Sequence, residues 1–160
     1  MKLKIHKGTL PANSLIASYL PANYTDVYVC TIKNAVNITP DYLLTNLWKI
    51  RPKWVKLLFK LRHILVKPFG LKTDNGGNAD VQKTANETVM QLKDKHLTAE
   101  MSVHIKAATD NQLTICVSTV VHFHNKLGVI YFFVIRPFHK IIVRSVFKNA
   151  VENIDKVYPI

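Results

Sequence analysis

Two long stretches of alternating apolar and polar residues constrain the fold of this chain more than any other feature. From Leu97 to Ala107, apolar residues occupy the odd positions and polar residues occupy the even ones. Apolar residues return at the odd positions from Thr114 to His124, with Thr119 as the exception. Because successive side chains of a strand point to opposite faces, this period of two predicts two half-buried β-strands.

The two strands must pair so that their apolar faces coincide, which restricts the turn between them. In each cross-strand pair, the two residue numbers must then add up to an even number. A two-residue turn at 110–111 would make that sum odd. We therefore predict a turn of three or five residues. In the three-residue case, Val103 faces Val117 and Leu97 faces Phe123.

Shorter patterns on either side predict an α+β fold. Thr39-Pro40-Asp41 is typical of a helix start, because threonine can cap, proline suits the first helical position and aspartate favours the positive end of the helix dipole. Pro52 should end that helix. We predict strands over 26–32 and 88–93, helices over 39–51 and 53–67, a flexible loop over 72–86, and a long helix over 127–153 that is bent at Pro137.

These elements predict an antiparallel sheet wrapped around the long C-terminal helix, with two shorter helices after the first strand. The length of 160 residues indicates one domain. We assign residues 20–160 to it and residues 1–19 to an N-terminal extension. The apolar stripe of the last helix is expected to face the sheet, and it consists of Ile130, Val134, Phe138, Ile141, Ile142, Val146 and Ala150.

Positive charge is the strongest compositional signal. The formal net charge is +12, and no acidic residue occurs between Asp41 and Asp74 or between Asp110 and Glu152. Such a field favours an anionic partner, for which an acidic membrane surface is one candidate. Nucleic acid is not favoured, because no basic sheet with interleaved aromatic residues is present.

The sequence lacks the signals of secretion and membrane insertion. No apolar run reaches the roughly 20 residues that a membrane-spanning helix needs, and no secretory signal opens the chain. Cys30 and Cys116 are far apart and fit no metal or redox spacing. We therefore expect a cytoplasmic protein with two inert thiols.

One segment near the C-terminus resembles the signature end of an uncharacterised bacterial family, the domain of unknown function 2867 family. Weaker fragments of the same resemblance lie upstream, and the similarity extends over roughly 20–150. The residues that carry it are Val121-His122-Phe123-His124-Asn125-Lys126-Leu127-Gly128, Tyr131, Arg136-Pro137-Phe138-His139-Lys140 and Ile142-Val143-Arg144, with Leu61-Arg62, Leu65-Val66, Phe69-Gly70-Leu71 and His96-Leu97-Thr98.

That family resembles the helix-grip group of START-like and Bet v 1-like (SRPBCC) proteins. The resemblance implies a sheet that grips a long C-terminal helix and leaves a cavity for a small hydrophobic or amphipathic ligand. The four strands predicted above are fewer than the roughly seven of that group. Some relatives carry a reductase domain, but no glycine-rich dinucleotide motif occurs here, so no cofactor and no reductase activity are implied.

The leading hypothesis for function is non-catalytic binding of such a ligand between the sheet and the last helix. Equally, the same apolar residues could fill a solid core. Asn125, Arg136 and His139 could form a polar entrance to the cavity. Alternatively, Asn125 forms the turn into the helix, and Arg136 and His139 donate hydrogen bonds to the carbonyls that Pro137 leaves free. The predicted ligand-binding residues are Met101, Val103, Val117, Val121, Phe123, Asn125, Tyr131, Arg136, Phe138 and His139; Val134 and Ile142 would extend the lining.

Other functions have weaker support in the sequence. His96, His122 and His124 could converge in the three-residue register, but they lie on the polar face of the strands, so we predict no metal site. No phosphate loop, serine elbow or paired carboxylate is present, so catalysis is not favoured. Two alternatives remain: a basic module that contacts membranes or proteins, and a cyclase-like enzyme. Ligand identity and oligomeric state are not determined by the sequence.

Overall fold

The computed structural model describes residues 4–33, 38–49, 53–69, 79–108 and 111–154. Within these residues the strands form one six-stranded antiparallel sheet in the order β1-β2-β6-β5-β4-β3. The strands are β1 (His6–Lys7), β2 (Tyr24–Lys33), β3 (Asp80–Lys83), β4 (Glu87–Lys93), β5 (Leu97–Ala108) and β6 (Gln112–Phe123). The helices are α1 (Pro40–Lys49), α2 (Lys53–Val66) and α3 (Lys126–Glu152), with short 3-10 helices at Ile16–Tyr19 and Lys67–Phe69. The α+β class, the antiparallel sheet and the long C-terminal helix are thus confirmed.

The central hairpin has the register that the alternating pattern predicts. Strand β5 ends at Ala108 and β6 begins at Gln112, so three residues separate them. Val103 pairs with Val117, and Leu97 pairs with Phe123. The backbone of Asn111 has a φ of 59°, a left-handed conformation that a three-residue hairpin turn requires and that asparagine tolerates.

The inner face of the sheet packs against α1 and α3. Val103 and Val117 are fully buried there, in one cluster with Leu43 of α1 and with Val143 and Phe147 of α3. The odd-numbered side chains of β5 and β6 therefore turn toward the last helix, as the sequence predicts.

The outer face is buried as well, which the alternating pattern did not predict. The N-terminal segment crosses it, and Ile16 of the first 3-10 helix packs there against Val89 and Val120. The even-numbered polar residues Glu100 and Ser102 are consequently as buried as the apolar core. Residues 5–19, expected to be an extension, contribute strand β1 and this cover.

Several boundaries differ from the predictions. The two shorter helices do not follow the first strand, because the two-residue strand β1 precedes β2 at the sheet edge. The predicted loop over 72–86 contains β3, whose four exposed residues pair with β4; residues 70–78 lie outside the described part.

The predicted stripe of α3 is correct in part: Val146 and Ala150 are buried, and Phe138 and Ile142 line the space beside the sheet. Ile130, Val134 and Ile141 are exposed. The buried residues of α3 are Gly128, Tyr131, Phe132, Ile135, Val143, Val146, Phe147, Ala150 and Val151. The three exposed residues were assigned to the wrong face because α3 carries apolar residues around most of its circumference in this part, so the pattern does not select one face.

Among the described residues, no helix is long and apolar enough to cross a membrane.

Candidate functional site

An apolar cavity of about 150 Å³ lies between the inner face of the sheet and the helices. Strands β4, β5 and β6 form its floor, α3 forms one wall, and the end of α1 contributes Leu47 and Trp48. Thr119 and His139 are polar residues of this otherwise largely apolar lining. The lining residues are Leu47, Trp48, Leu92, Leu97, Ala99, Met101, Val117, Thr119, Val121, Tyr131, Phe132, Ile135, Phe138, His139, Ile142, Val143 and Val146.

The cavity exists because the floor is made of small and medium-sized side chains where α3 passes over it. Ala99 pairs with Val121 and Leu92 on its two neighbouring strands, so a short side chain stands at this part of the sheet. Ala99 and Met101 are only half-buried although they face the helix. The space beside them is therefore accessible rather than sealed.

Six of the ten predicted ligand-binding residues line this cavity. They are Met101, Val117, Val121, Tyr131, Phe138 and His139. Ile142 also lines it, whereas Val134 is exposed on the opposite side of α3. The structure thus brings most of the predicted set together; their role in binding stays a prediction.

Four predicted residues lie elsewhere. Val103 is in the solid core beside the cavity. Phe123 packs on Phe132, with 5.4 Å between ring centroids. The Arg136 guanidinium lies 5.4 Å from the centre of the Tyr24 ring, a cation–π arrangement on the exposed side of the site.

Asn125 has a structural role at the start of α3. Its side-chain oxygen accepts hydrogen bonds from the Gly128 amide at 3.1 Å, as an N-cap does, and lies 3.1 Å from His96 Nδ1. Gly128 lies so close to the His96 carbonyl oxygen that a Cβ would collide with it. The Asn125–Gly128 part of the signature therefore fixes the angle at which the helix leaves the sheet.

Behind two polar residues of the lining, Thr119 and His139, lies Asp26, which the sequence did not single out. Asp26 is 6% exposed and lies directly opposite Thr119 in the β2–β6 pairing. Its Oδ2 atom accepts a hydrogen bond from the Tyr24 hydroxyl at 2.7 Å and lies 3.4 Å from His139 Nε2. Its Oδ1 atom is buried and has no hydrogen-bond partner within the described residues.

This environment keeps Asp26 ionised. Burial by itself raises the pKa of the carboxyl group, but the nearby His139 and the hydrogen bond from Tyr24 outweigh it, so the pKa is lowered from its ordinary 3.8. The pKa of Tyr24 is raised, first by burial and then by the hydrogen bond to Asp26. The site therefore places an aspartate carboxylate, a phenol that remains protonated and an imidazole beside an apolar cavity.

One signal in the sequence could have identified this group. Asp26 is the sole acidic residue in the strand 24–33, which is otherwise rich in β-branched and aromatic residues. A lone carboxylate in such a strand must find a buried partner or face solvent. Its partner, His139, is 113 positions away, and only the tertiary fold brings the two together.

The three histidines expected to share a face have separate partners. His96 contacts Asn125, and His124 Nε2 lies 2.9 Å from the Thr98 hydroxyl. His122 Nε2 lies 2.9 Å from the Tyr19 carbonyl, and its Nδ1 is 3.4 Å from the buried Glu100. In the described ranges, no three histidine, cysteine or acidic side chains are grouped so as to hold a metal ion.

A family model described as "Protein of unknown function (DUF2867)" matches residues 19–146. The match covers most of the chain, so the chain belongs to this family, as the signature residues indicated. No curated protein matches it, and no solved structure matches it.

Proposed function

We propose that this member of the DUF2867 family binds a small amphipathic ligand in the cavity between the sheet and α3. The observation that carries the proposal is the combination of apolar walls with two polar lining residues that adjoin Asp26. Small-molecule sites are typically apolar concavities with a few polar groups that orient the ligand.

The size of the cavity limits the ligand. A volume of about 150 Å³ is comparable to an engineered apolar cavity that admits benzene. A single ring or a short branched chain therefore fits inside, and any larger part of a ligand would extend past the half-buried residues at the edge, such as Ala99.

The polar group of the ligand would be placed by Thr119 and His139. A hydroxyl or amine on the ligand would exchange hydrogen bonds with His139 or Thr119, which line the cavity, whereas Asp26 lies behind them and outside the lining. This arrangement favours a ligand with one hydrogen-bonding group over a pure hydrocarbon. It also agrees with the helix-grip relationship that the resemblance implies, in which the sheet and the last helix enclose the ligand.

Benzyl alcohol and toluene form a matched pair of probes for this proposal, since they share a ring and differ by one hydroxyl group. We expect both probes to bind, as isothermal titration calorimetry would detect. Each binding free energy is compared with the free energy of transferring the same probe from water to octanol, and benzyl alcohol should exceed its transfer value by more than toluene does. Native mass spectrometry of untagged protein should in addition detect a co-purified small molecule. If neither probe bound and native mass spectrometry detected no co-purified small molecule, the proposal would be wrong.

A second candidate function is acid–base catalysis on the bound molecule, as in a cyclase-like enzyme. The observation that favours it is the Asp26–His139 pair, because a carboxylate that orients an imidazole beside a substrate cavity is a common general-base arrangement. The catalytic hypothesis predicts that His139→Gln leaves toluene binding intact while abolishing turnover of a substrate that native mass spectrometry identifies. Binding alone predicts no turnover in the wild type.

A further inference from the structure

Helix α3 exposes a continuous row of large apolar side chains on the side that faces away from the sheet. Phe133 is 77% exposed, and Ile130 and Ile141 are about half exposed. Together with Val134 and Pro137 they follow the spacing of one helix face. We call these five residues the apolar strip.

Basic residues flank the apolar strip along the same helix. Lys126 lies one turn before it, and Arg144 and Lys148 lie one and two turns after its end. Lys140 lies beside Ile141. No acidic residue occurs between Asp110 and Glu152, so the helix carries one sign of charge until its last residue.

Helix α2, which like α1 contacts α3, also exposes apolar and basic side chains. Leu57, Leu61 and Ile64 of α2 are exposed, and lysines at 53, 56 and 60 lie on the same helix, also exposed. Two helices in contact thus both carry exposed apolar side chains together with basic ones.

We propose that this surface docks on an anionic lipid bilayer, with α3 lying parallel to the membrane plane. Apolar side chains that enter the headgroup boundary, flanked by lysine and arginine that contact acidic headgroups, are the two parts of an interfacial helix. Charge decides between this partner and a second copy of the chain. Two copies related by a two-fold axis would bring basic faces together, whereas acidic lipid complements them.

The test is sedimentation of the full chain with vesicles of phosphatidylcholine and with vesicles of equal parts phosphatidylcholine and phosphatidylserine. We expect binding to the mixed vesicles only, and weaker binding at high salt because exposed charges are screened. Phe133→Gln should weaken binding about tenfold or more, since an exposed phenylalanine no longer enters the interface. Ile141→Gln should weaken it less, and the matched control Val81→Gln, on the exposed strand β3, should not.

The charge contribution is tested by Lys126→Gln combined with Arg144→Gln. Each basic residue near an acidic surface accounts for roughly a fivefold change in affinity, so the pair should weaken binding by on the order of 25-fold. Lys7→Gln with Lys33→Gln, two exposed lysines of β1 and β2, is the control.

Three results would overturn the proposal. They are no binding to the mixed vesicles, equal loss in the control variants, and a dimer in sedimentation velocity that Phe133→Gln dissociates. The last result would assign the apolar strip to a second copy. Circular dichroism melting of every variant excludes unfolding as the cause, and because the strip lies outside the cavity lining, probe binding in the cavity should persist in all of them.

Discussion

Replacing Ala99 with leucine should stabilise the protein and close the cavity at the same time. Ala99 is a half-buried residue of β5 whose side chain faces the cavity between Leu92 and Val121. A leucine here adds three carbon atoms to space that the native side chains leave free. The sign of the stability change therefore distinguishes a real cavity from a filled core.

The expected magnitude follows from the volume and from the added carbons. Filling all of the 150 Å³ would contribute at most about 3.6 kcal/mol at ~24 cal/mol per Å³. Three added carbons buried at ~0.8 kcal/mol each contribute about 2.4 kcal/mol, and ordering the leucine side chain costs about 0.5–1 kcal/mol. We expect Ala99→Leu to raise the free energy of unfolding by about 1.5 kcal/mol.

Urea denaturation followed by circular dichroism measures this change, and calorimetry with benzyl alcohol should show that binding is lost. Ala107→Leu is the matched control, because Ala107 lies on the same strand and face but is exposed and outside the cavity lining. It should change stability by less than about 0.5 kcal/mol and leave probe binding intact. If Ala99→Leu instead destabilised the protein by about 1–3 kcal/mol, as overpacking does, the region would be a solid core and the reasoning would be refuted.

Three further predictions concern the buried residues Glu87, Gly128 and Asp26. Glu87 is buried and accepts hydrogen bonds from two backbone amides of the N-terminal segment and from Ser102. Glu87→Ala should therefore lower the free energy of unfolding, measured by urea denaturation, by about 3 kcal/mol, and Glu87→Gln should lower it by less. Gly128→Ala should cost about 1–3 kcal/mol, since its methyl group meets the backbone carbonyl of His96; an unchanged melting temperature would contradict the close approach. Asp26 has a lowered pKa in the folded state, so its stabilisation is present above pH 3.8 and is lost as the pH falls through the folded-state pKa. The stability difference between wild type and Asp26→Asn should therefore shrink below pH 4, and a constant difference down to pH 2 would argue against the ionised state.

Local periodicity was sufficient to predict the central hairpin. The alternation in β5 and β6 requires their apolar faces to coincide, which allowed a turn of three or five residues; the structure has the three-residue turn, in which Val103 pairs with Val117. The start of α1 was equally predictable, because capping by Thr39 is a local interaction: the Tyr42 amide donates to its hydroxyl at 3.2 Å.

Features that depend on distant segments could not be predicted in the same way. Strand β3 contains four exposed residues and is defined by backbone pairing with β4, so it carries no hydrophobic pattern. The polar outer face of β5 looked solvent-exposed, yet Glu100 is buried there and accepts a hydrogen bond from Gln91 at 2.8 Å. A polar residue that is buried with partners has the same sequence pattern as one that faces water.

In the candidate site, too, some residues were predictable from local pattern and others depend on distant segments. Its apolar lining was largely predictable, since Met101, Val117 and Val121 follow from the strand faces. Its polar group was not, because Asp26 comes from β2 and meets His139 of α3 only in the folded chain.

We expect a ligand to enter the space between β5, β6 and α3, and the proposed binding function depends on this more than on any other feature. A methyl-resolved ¹H–¹³C NMR titration with benzyl alcohol tests it residue by residue. We predict shifts for the methyl groups of Ala99, Val121 and Ile135, which line the cavity, and none for Val120, which faces the N-terminal segment. Shifts confined to Val120 and other residues of the outer face, or no shifts up to the solubility limit of benzyl alcohol, would show that no ligand enters this space.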